Sequence, residues 1–277
     1  MPRRALCAAV AAVLLLGCDG GGASARSPVR RIVSLSPSLT ELIFTVGAGD
    51  RLVGRTRWDT DPAAVRDLPS VGDGLEPNLE LILARAPDLV VFYRTAANAS
   101  AIARLHAAGV ATLSLRMDRL EDVPVAARRL GEVLGVQARA DSVADAFEAE
   151  LGRRRSAVHG PGPGVLILTW DAPPIVIGGG SFLTELVALA GGHNVFADLP
   201  QPSAPVSLEA IAARDPDVVL LAGGETPAFV DRAEWQAVPA VRDRRFARVE
   251  GSAYSWPSPR SLAAVDSLAA AIAGAMR

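Results

Sequence analysis

Leu79-Glu80-Leu81-Ile82-Leu83-Ala84-Arg85-Ala86-Pro87-Asp88-Leu89-Val90-Val91 reads as one helix followed by one strand, and the same unit occurs twice. Leu208-Glu209-Ala210-Ile211-Ala212-Ala213-Arg214-Asp215-Pro216-Asp217-Val218-Val219-Leu220 matches it in register. Asn78 and Ser207 stand where a helix N-cap is needed, Glu80 and Glu209 fall in the first turn, and Ile82 and Ile211 turn inward. Pro87 and Pro216 close the helix. The unbroken apolar runs 89–93 and 218–222 then suit strands buried on both faces of a parallel sheet. Upstream, Leu39-Thr40-Glu41-Leu42 followed by Gly47 pairs with Leu183-Thr184-Glu185-Leu186 followed by Gly191. The same order of elements twice predicts two lobes built alike.

Further strands are predicted over 32–35, 112–115 and 164–168, alternating with helices, so each lobe is a doubly wound α/β unit with a mainly parallel sheet. Between the lobes, 123–134 and 140–158 carry helical patterns, with Val143, Phe147 and Leu151 on one stripe of the second. No proline interrupts that stretch before Gly160-Pro161-Gly162-Pro163. One long rigid helix joining two α/β lobes is the expectation, and with it a cleft that is largely preformed. The division reads as a leader over 1–18, a tether over 19–29, a first lobe over 30–121, a helical connector over 122–160 and a second lobe over 161–277.

The first residues are read as targeting signal rather than fold. Pro2-Arg3-Arg4 is basic, Ala5 to Leu16 is apolar, and Gly17 precedes Cys18. About twelve apolar residues fall short of the roughly 20 that span a bilayer. Leu15-Leu16-Gly17-Cys18 resembles a bacterial lipobox, which implies acylation at Cys18; an ordinary signal peptide cut nearby is the alternative. Both cysteines of the chain, Cys7 and Cys18, lie in this leader, so the body has no disulfide, thiolate metal site or cysteine nucleophile. Of 277 residues, 28 are basic, all of them arginine, and they are scattered among 30 acids. That distribution argues against a nucleic-acid partner.

Aromatic residues are few, which makes their placement informative. Five of the six Trp and Tyr residues fall at or beyond predicted strand ends: Trp58 and Tyr93 in the first lobe, Trp170, Tyr254 and Trp256 in the second. Ligands of open parallel sheets bind beyond the carboxyl ends of strands. Rings facing one another across a cleft would suit a wide, flat ligand; the plain alternative is that each ring plugs its own loop. Trp235 is read as core.

At this level of detail the chain is similar to the helical-backbone class of periplasmic solute-binding proteins, and within it to the cobalamin-binding family. The segments that carry the resemblance are Ile32 to Leu42 (IVSLSPSLTEL), the two repeats, and Ser258-Pro259-Arg260. The resemblance implies a periplasmic, membrane-anchored lipoprotein of an ABC importer, monomeric and with no cofactor of its own. It implies a corrinoid ligand, with haem or a ferric siderophore as the alternative. It also places the ligand-facing loops on Ser36-Pro37-Ser38, Trp58-Asp59, Tyr93-Arg94, Trp170-Asp171 and Tyr254-Ser255-Trp256. Glu80 and Glu209 would be the acids that meet arginines of the membrane permease subunits, although helix-start stabilisation alone also accounts for them.

Other chemistries find little support. His106, His159 and His193 have no partner at metal-ligand spacing. Ile177-Gly178-Gly179-Gly180-Ser181 could in principle cradle a phosphate, but it lacks the Lys-Ser/Thr ending of a P-loop, and a tight turn with an N-cap explains it. No enzyme is expected.

Overall fold

The duplicated segment folds twice into the same unit in the computed structural model, which describes residues 28–160, 162–222 and 227–277. The leader, Cys18 and most of the tether lie outside the described residues. In the first lobe the chain runs β1 (Ile32–Ser34), α1 (Pro37–Thr45), β2 (Leu52–Gly54), α2 (Leu79–Ala84), β3 (Leu89–Tyr93), α3 (Ala99–Ala107) and β4 (Ala111–Leu115). The connector holds α4 (Asp122–Leu134) and α5 (Gln137–Ala157). The second lobe runs β5 (Gly164–Asp171), β6 (Pro174–Ile177), α6 (Phe182–Leu189), β7 (His193–Asn194), β8 (Ser203–Pro205), α7 (Leu208–Ala213), β9 (Val218–Ala222), α8 (Pro239–Arg242), β10 (Phe246–Val249) and α9 (Val265–Ala275).

The two repeats share their local physics. The Asn78 side chain accepts from Leu81 N at 3.0 Å and the Ser207 hydroxyl from Ala210 N at 3.2 Å, so both short helices are capped as their sequences require. After each helix the residue before proline turns left-handed, with φ of 45° at Ala86 and 43° at Asp215. The following aspartate then fastens the start of the neighbouring strand. Asp88 accepts from Arg30 N and Arg31 N at 2.8 and 2.9 Å, and Asp217 accepts from Gly164 N at 2.7 Å.

The first sheet is parallel throughout, ordered β2-β1-β3-β4. The second is parallel through β10-β9-β5, with β7 also parallel to β5, but β6 and β8 extend it antiparallel. That extension changes one expectation. Trp170 and Asp171 were placed in a loop beyond a strand ending at 168; they are instead the last residues of β5, opposite Ile175 and Pro174 of β6.

Alternate strand residues feed different cores. Val33, Val90 and Phe92 join Ile82 and Leu105 on the outer face of the first sheet. Leu166, Leu168 and Val219 join Ile211 and Trp235 on the outer face of the second. Trp235 is core, as expected, its ring centroid 4.5 Å from that of Phe229. The inner-face residues, Ile32, Leu89 and Val91 from one sheet and Val165, Ile167 and Val218 from the other, belong to one continuous cluster with Leu42, Leu130, Leu151, Leu186 and Leu268. The two lobes therefore share a core, and separating them would expose apolar surface at about 25 cal/mol per Å².

The connector is two helices rather than one. α4 ends at Gly135, with φ of 68°, and α5 follows as a helix of 21 residues, about 32 Å at 1.5 Å per residue. Arg128 of α4 meets Asp145 and Glu148 of α5 at 2.7 Å each. Near the start of α5, Arg139 Nε donates to Thr45 O of the first lobe at 3.1 Å; near its end, Arg154 pairs with Asp266 of α9 at 2.9 Å. The long helix thus touches both lobes. Among the described residues no helix is long and apolar enough to cross a membrane.

Candidate ligand-binding cleft

The carboxyl ends of the strands converge on a cavity of about 340 Å³ between the lobes. Its first-lobe wall is Leu35 to Ser38 after β1, Gly74 and Leu75 before α2, Tyr93 at the end of β3, and Met117 and Asp118 after β4. Its second-lobe wall is Ser181 and Phe182 at the start of α6, Pro202 before β8, and Ser255, Trp256 and Pro257 after β10. A cleft in this place follows from topology, since parallel sheets leave their crevices at strand carboxyl ends.

Six of the twelve residues in the expected ligand-facing loops line it: Ser36, Pro37, Ser38, Tyr93, Ser255 and Trp256. Ser36 and Ser38 are tied to each other, hydroxyl to hydroxyl, at 3.1 Å. The Tyr93 hydroxyl donates to Asp118 Oδ1 at 2.5 Å. Burial and that carboxylate push the Tyr93 phenol up to about 12, so it stays protonated and remains a donor. The Trp256 indole N–H is buried with no hydrogen-bond partner among the described residues.

The other six do not line the cavity, each for a local reason. Tyr254 was expected to offer a ring face to the ligand, but it is 6% exposed, packs in the shared core and donates its hydroxyl to Ala264 O at 2.9 Å. Asp59 is 2% exposed and accepts from the backbone N–H (2.8 Å) and hydroxyl of Thr56, which closes its own turn. Burial pushes its carboxyl above the ordinary range, against the lowering effect of the two hydrogen bonds from Thr56. Trp58 is 58% exposed beneath the Arg57 guanidinium, 5.1 Å from its ring centroid. Trp170 is 60% exposed, with its indole N–H donated to Ala172 O at 2.9 Å. Arg94 is exposed and reaches back to Ser114 O at 3.4 Å, and Asp171 pairs with Arg232 at 2.5 Å.

Asp118, Met117 and Phe182 line the cleft without having been singled out from the sequence. Met117 and Asp118 follow a predicted strand end, the rule that flagged the aromatic residues; attention to rings alone passed them over.

The glycine turn before α6 is structural. Gly178 N donates to Pro202 O at 3.0 Å, Gly179 N to Leu199 O at 2.7 Å and Gly180 N to Gln201 O at 3.4 Å, which leaves none of the three for a phosphate. A Cβ at these positions would meet Gln201 O at 2.3 Å, Ala197 O at 2.2 Å and Pro200 O at 2.5 Å, so only glycine lets the 197–202 loop approach. Ser181 caps α6 by accepting from Leu183 N at 3.2 Å. The histidines have local partners: His106 with Thr112, His159 with Ala157 O and His193 with Gly162 O. Glu80 and Glu209 are both exposed, each in the first turn of its helix. At Glu209 its own backbone N–H and the Ser207 hydroxyl hold the carboxyl below its ordinary range.

Two look-alike α/β lobes facing across one cleft, with helices joining them at the back, define a solute-binding protein. A family model described as "Periplasmic binding protein" matches residues 32–252, and the chain belongs to that family. A vitamin B12-binding protein of Pectobacterium carotovorum subsp. carotovorum (strain PC1) is 28% identical over 218 residues, covering 76% of this chain and 79% of the relative. A substrate-binding lipoprotein of an ABC transporter from Bacillus subtilis (strain 168) is 28% identical over 252 residues, covering 88% and 80%. The solved structure of a periplasmic heme-binding protein from Roseiflexus sp. RS-1 superposes with a TM-score of 0.79 at 28% identity, covering 90% of this chain and all of that one. As a member of that family the chain is a binding protein and not an enzyme.

Proposed function

We propose that this protein captures a corrinoid, cobalamin or a close relative, in the interlobe cleft and delivers it to the membrane permease of an ABC importer. The observation that carries the choice of ligand is the chemistry of the cavity wall. Its described lining is apolar and hydroxyl-bearing, with Tyr93 and Trp256 on opposite lobes and with Asp118 as its one charged residue. Haem presents two carboxylates and ferric siderophores are often anionic; either would call for arginine, and no arginine is among the described lining residues. Corrinoids carry a neutral carboxamide periphery. The name of the Pectobacterium relative points the same way.

Cys18 is the proposed lipid anchor, which would hold the protein at the periplasmic membrane surface. Glu80 and Glu209, at equivalent exposed points of the two lobes, are the proposed contacts with the permease subunits. Exposed charges of this kind govern encounter and orientation more than tightness. A monomer suffices, since both walls of the cleft come from one chain.

The absorption spectrum of the protein purified from its own host tests the ligand. Corrin bands in the visible support the reading, and a haem Soret band in their place would overturn it. Cys18→Ser should release the protein from the membrane fraction; continued retention would remove the anchor.

A further inference from the structure

Asp118 is held from both sides of the cleft. Its backbone N–H donates to Asp122 Oδ2 at 2.9 Å within the first lobe, and its carbonyl accepts from Phe182 N of the second lobe at 2.9 Å. The next residue, Arg119, donates to Gly179 O and to Glu185 Oε1, both at 3.0 Å, and Leu120 N donates to Glu185 Oε2 at 2.8 Å. The segment that carries Asp118 is thereby sewn to the start of α6. The side chain is fixed as well, because Oδ1 accepts the Tyr93 hydroxyl at 2.5 Å.

The second carboxylate oxygen is different. Asp118 Oδ2 has no hydrogen-bond partner among the described residues, and Asp118 lines the cavity. The two arginines beside it in the chain are bonded to other acids, Arg116 to Asp122 at 2.8 Å and Arg119 to Glu185 at 3.0 Å, although the Arg116 charge also acts on Asp118. A fixed carboxylate oxygen, with no cation bonded to it and beside an otherwise apolar and hydroxyl wall, asks for a hydrogen-bond donor from the ligand.

We infer that Asp118 is a specificity-determining residue of the cleft: its Oδ2 accepts an N–H from a carboxamide at the edge of the bound macrocycle and repels a carboxylate at the same place. The inference rests on the corrinoid reading of this site and sharpens it, since it requires the amidated form of the ring. Discrimination by a pre-placed acceptor has two parts, a charge-assisted bond to the amide and a like-charge clash with the acid. A charge-assisted bond alone corresponds to about 10- to 100-fold in affinity.

Calorimetric titration of the purified protein with dicyanocobinamide and with dicyanocobyrinic acid tests this. The two probes share the corrin ring and cobalt ligands and differ chiefly in carrying amides or carboxylates at the edge. The unmodified protein should prefer the amide probe by about tenfold or more. Asp118→Asn, which keeps the shape and removes the charge, should narrow that preference toward unity, mainly by strengthening the carboxylate probe. Asp118→Ser should narrow it too, so the result does not hang on one variant. Trp256→Phe should weaken both probes without changing their ratio. A preference that persists in Asp118→Asn and Asp118→Ser, or equal binding of both probes by the unmodified protein, overturns the role of Asp118 and leaves the corrinoid reading standing. Binding of neither probe by the unmodified protein overturns the corrinoid reading itself, and the inference with it.

Discussion

Glu41 and Arg260, 219 residues apart in the chain, form a two-pronged ion pair across the lobes, Nε to Oε1 at 2.8 Å and Nη2 to Oε2 at 3.0 Å. Glu41 is 5% exposed on α1, and Arg260 reaches it from the loop before α9 while also touching Ser252 and Asp61. The other lobe repeats the arrangement. Glu185 holds the place of Glu41 in the duplicated Leu-Thr-Glu-Leu, and Arg119 meets it from the opposite direction at 3.0 Å. Each lobe thus sends one arginine to the helix that begins its partner's side of the cleft.

Removing Arg260 strands a buried carboxylate. Arg260→Met should cost about 2 kcal/mol, less than the 3–5 typical of fully buried pairs because the arginine is half exposed. Urea unfolding should show it as a lower midpoint. The double variant Glu41→Gln with Arg260→Met should lose less than Arg260→Met alone, because the stranded charge is gone. Additive losses would mean that the two side chains act independently.

Asp59 works against the fold when ionised. Burial holds its carboxyl above the ordinary aspartate range, so the folded chain binds this proton more tightly than the unfolded chain does. Its contribution therefore falls as pH rises from the ordinary value, near 3.9, through the raised one. Asp59→Asn should be at least as stable as the unmodified protein at pH 7, and its relative advantage should shrink as pH falls through that window. Denaturant unfolding of both at pH 7 and at about pH 4 reads the difference. An advantage that grows on acidification would contradict the cause assigned here.

Tyr254 and Trp256 are two residues apart and should behave oppositely. Trp256→Ala removes a ring from the cleft wall and should raise the ligand Kd about thirtyfold or more. Tyr254→Phe loses the bond to Ala264 O and should cost about 1 kcal/mol of stability. It should leave ligand affinity unchanged. Calorimetry for the first effect and thermal unfolding for the second separate them.

Glu80→Ala together with Glu209→Ala should leave ligand affinity intact, since both acids are exposed and neither lines the cavity. Binding to permease-containing proteoliposomes should weaken, chiefly through a slower on-rate that depends less steeply on salt than that of the unmodified protein. Equal loss of ligand binding would show that these acids act in the cleft.

Much of the frame was readable from residues 79–91 and 208–220. Cap, first-turn acid, inward isoleucine, closing proline and apolar strand are local signals, and local physics decides them. The left-handed Ala86 and Asp215 sit just where those prolines turn the chain. What could not be read depends on contacts between distant parts. Tyr254 and Trp256 have the same loop context, but only the position of Ala264, brought close by the fold, draws Tyr254 inward. Trp170 belongs to a strand rather than a loop because of a three-residue extension of β5, which arises from pairing with β6. Asp118 carries no marker that separates it from any other loop aspartate; its importance comes from Tyr93 and Phe182 meeting it from opposite lobes. The Glu41–Arg260 pair was likewise hidden, because the repeat located Glu41 and Glu185 without their partners.

Tyr93 and Trp256 stand on opposite walls of one cleft, where a single wide ring bound as proposed would lie between them. The most direct measurement is a calorimetric titration of the purified protein with dicyanocobinamide, repeated on Trp256→Ala. One ligand per chain with micromolar or tighter Kd is expected, weakened about thirtyfold or more by the substitution. No saturable heat, or binding that Trp256→Ala leaves untouched, would contradict it.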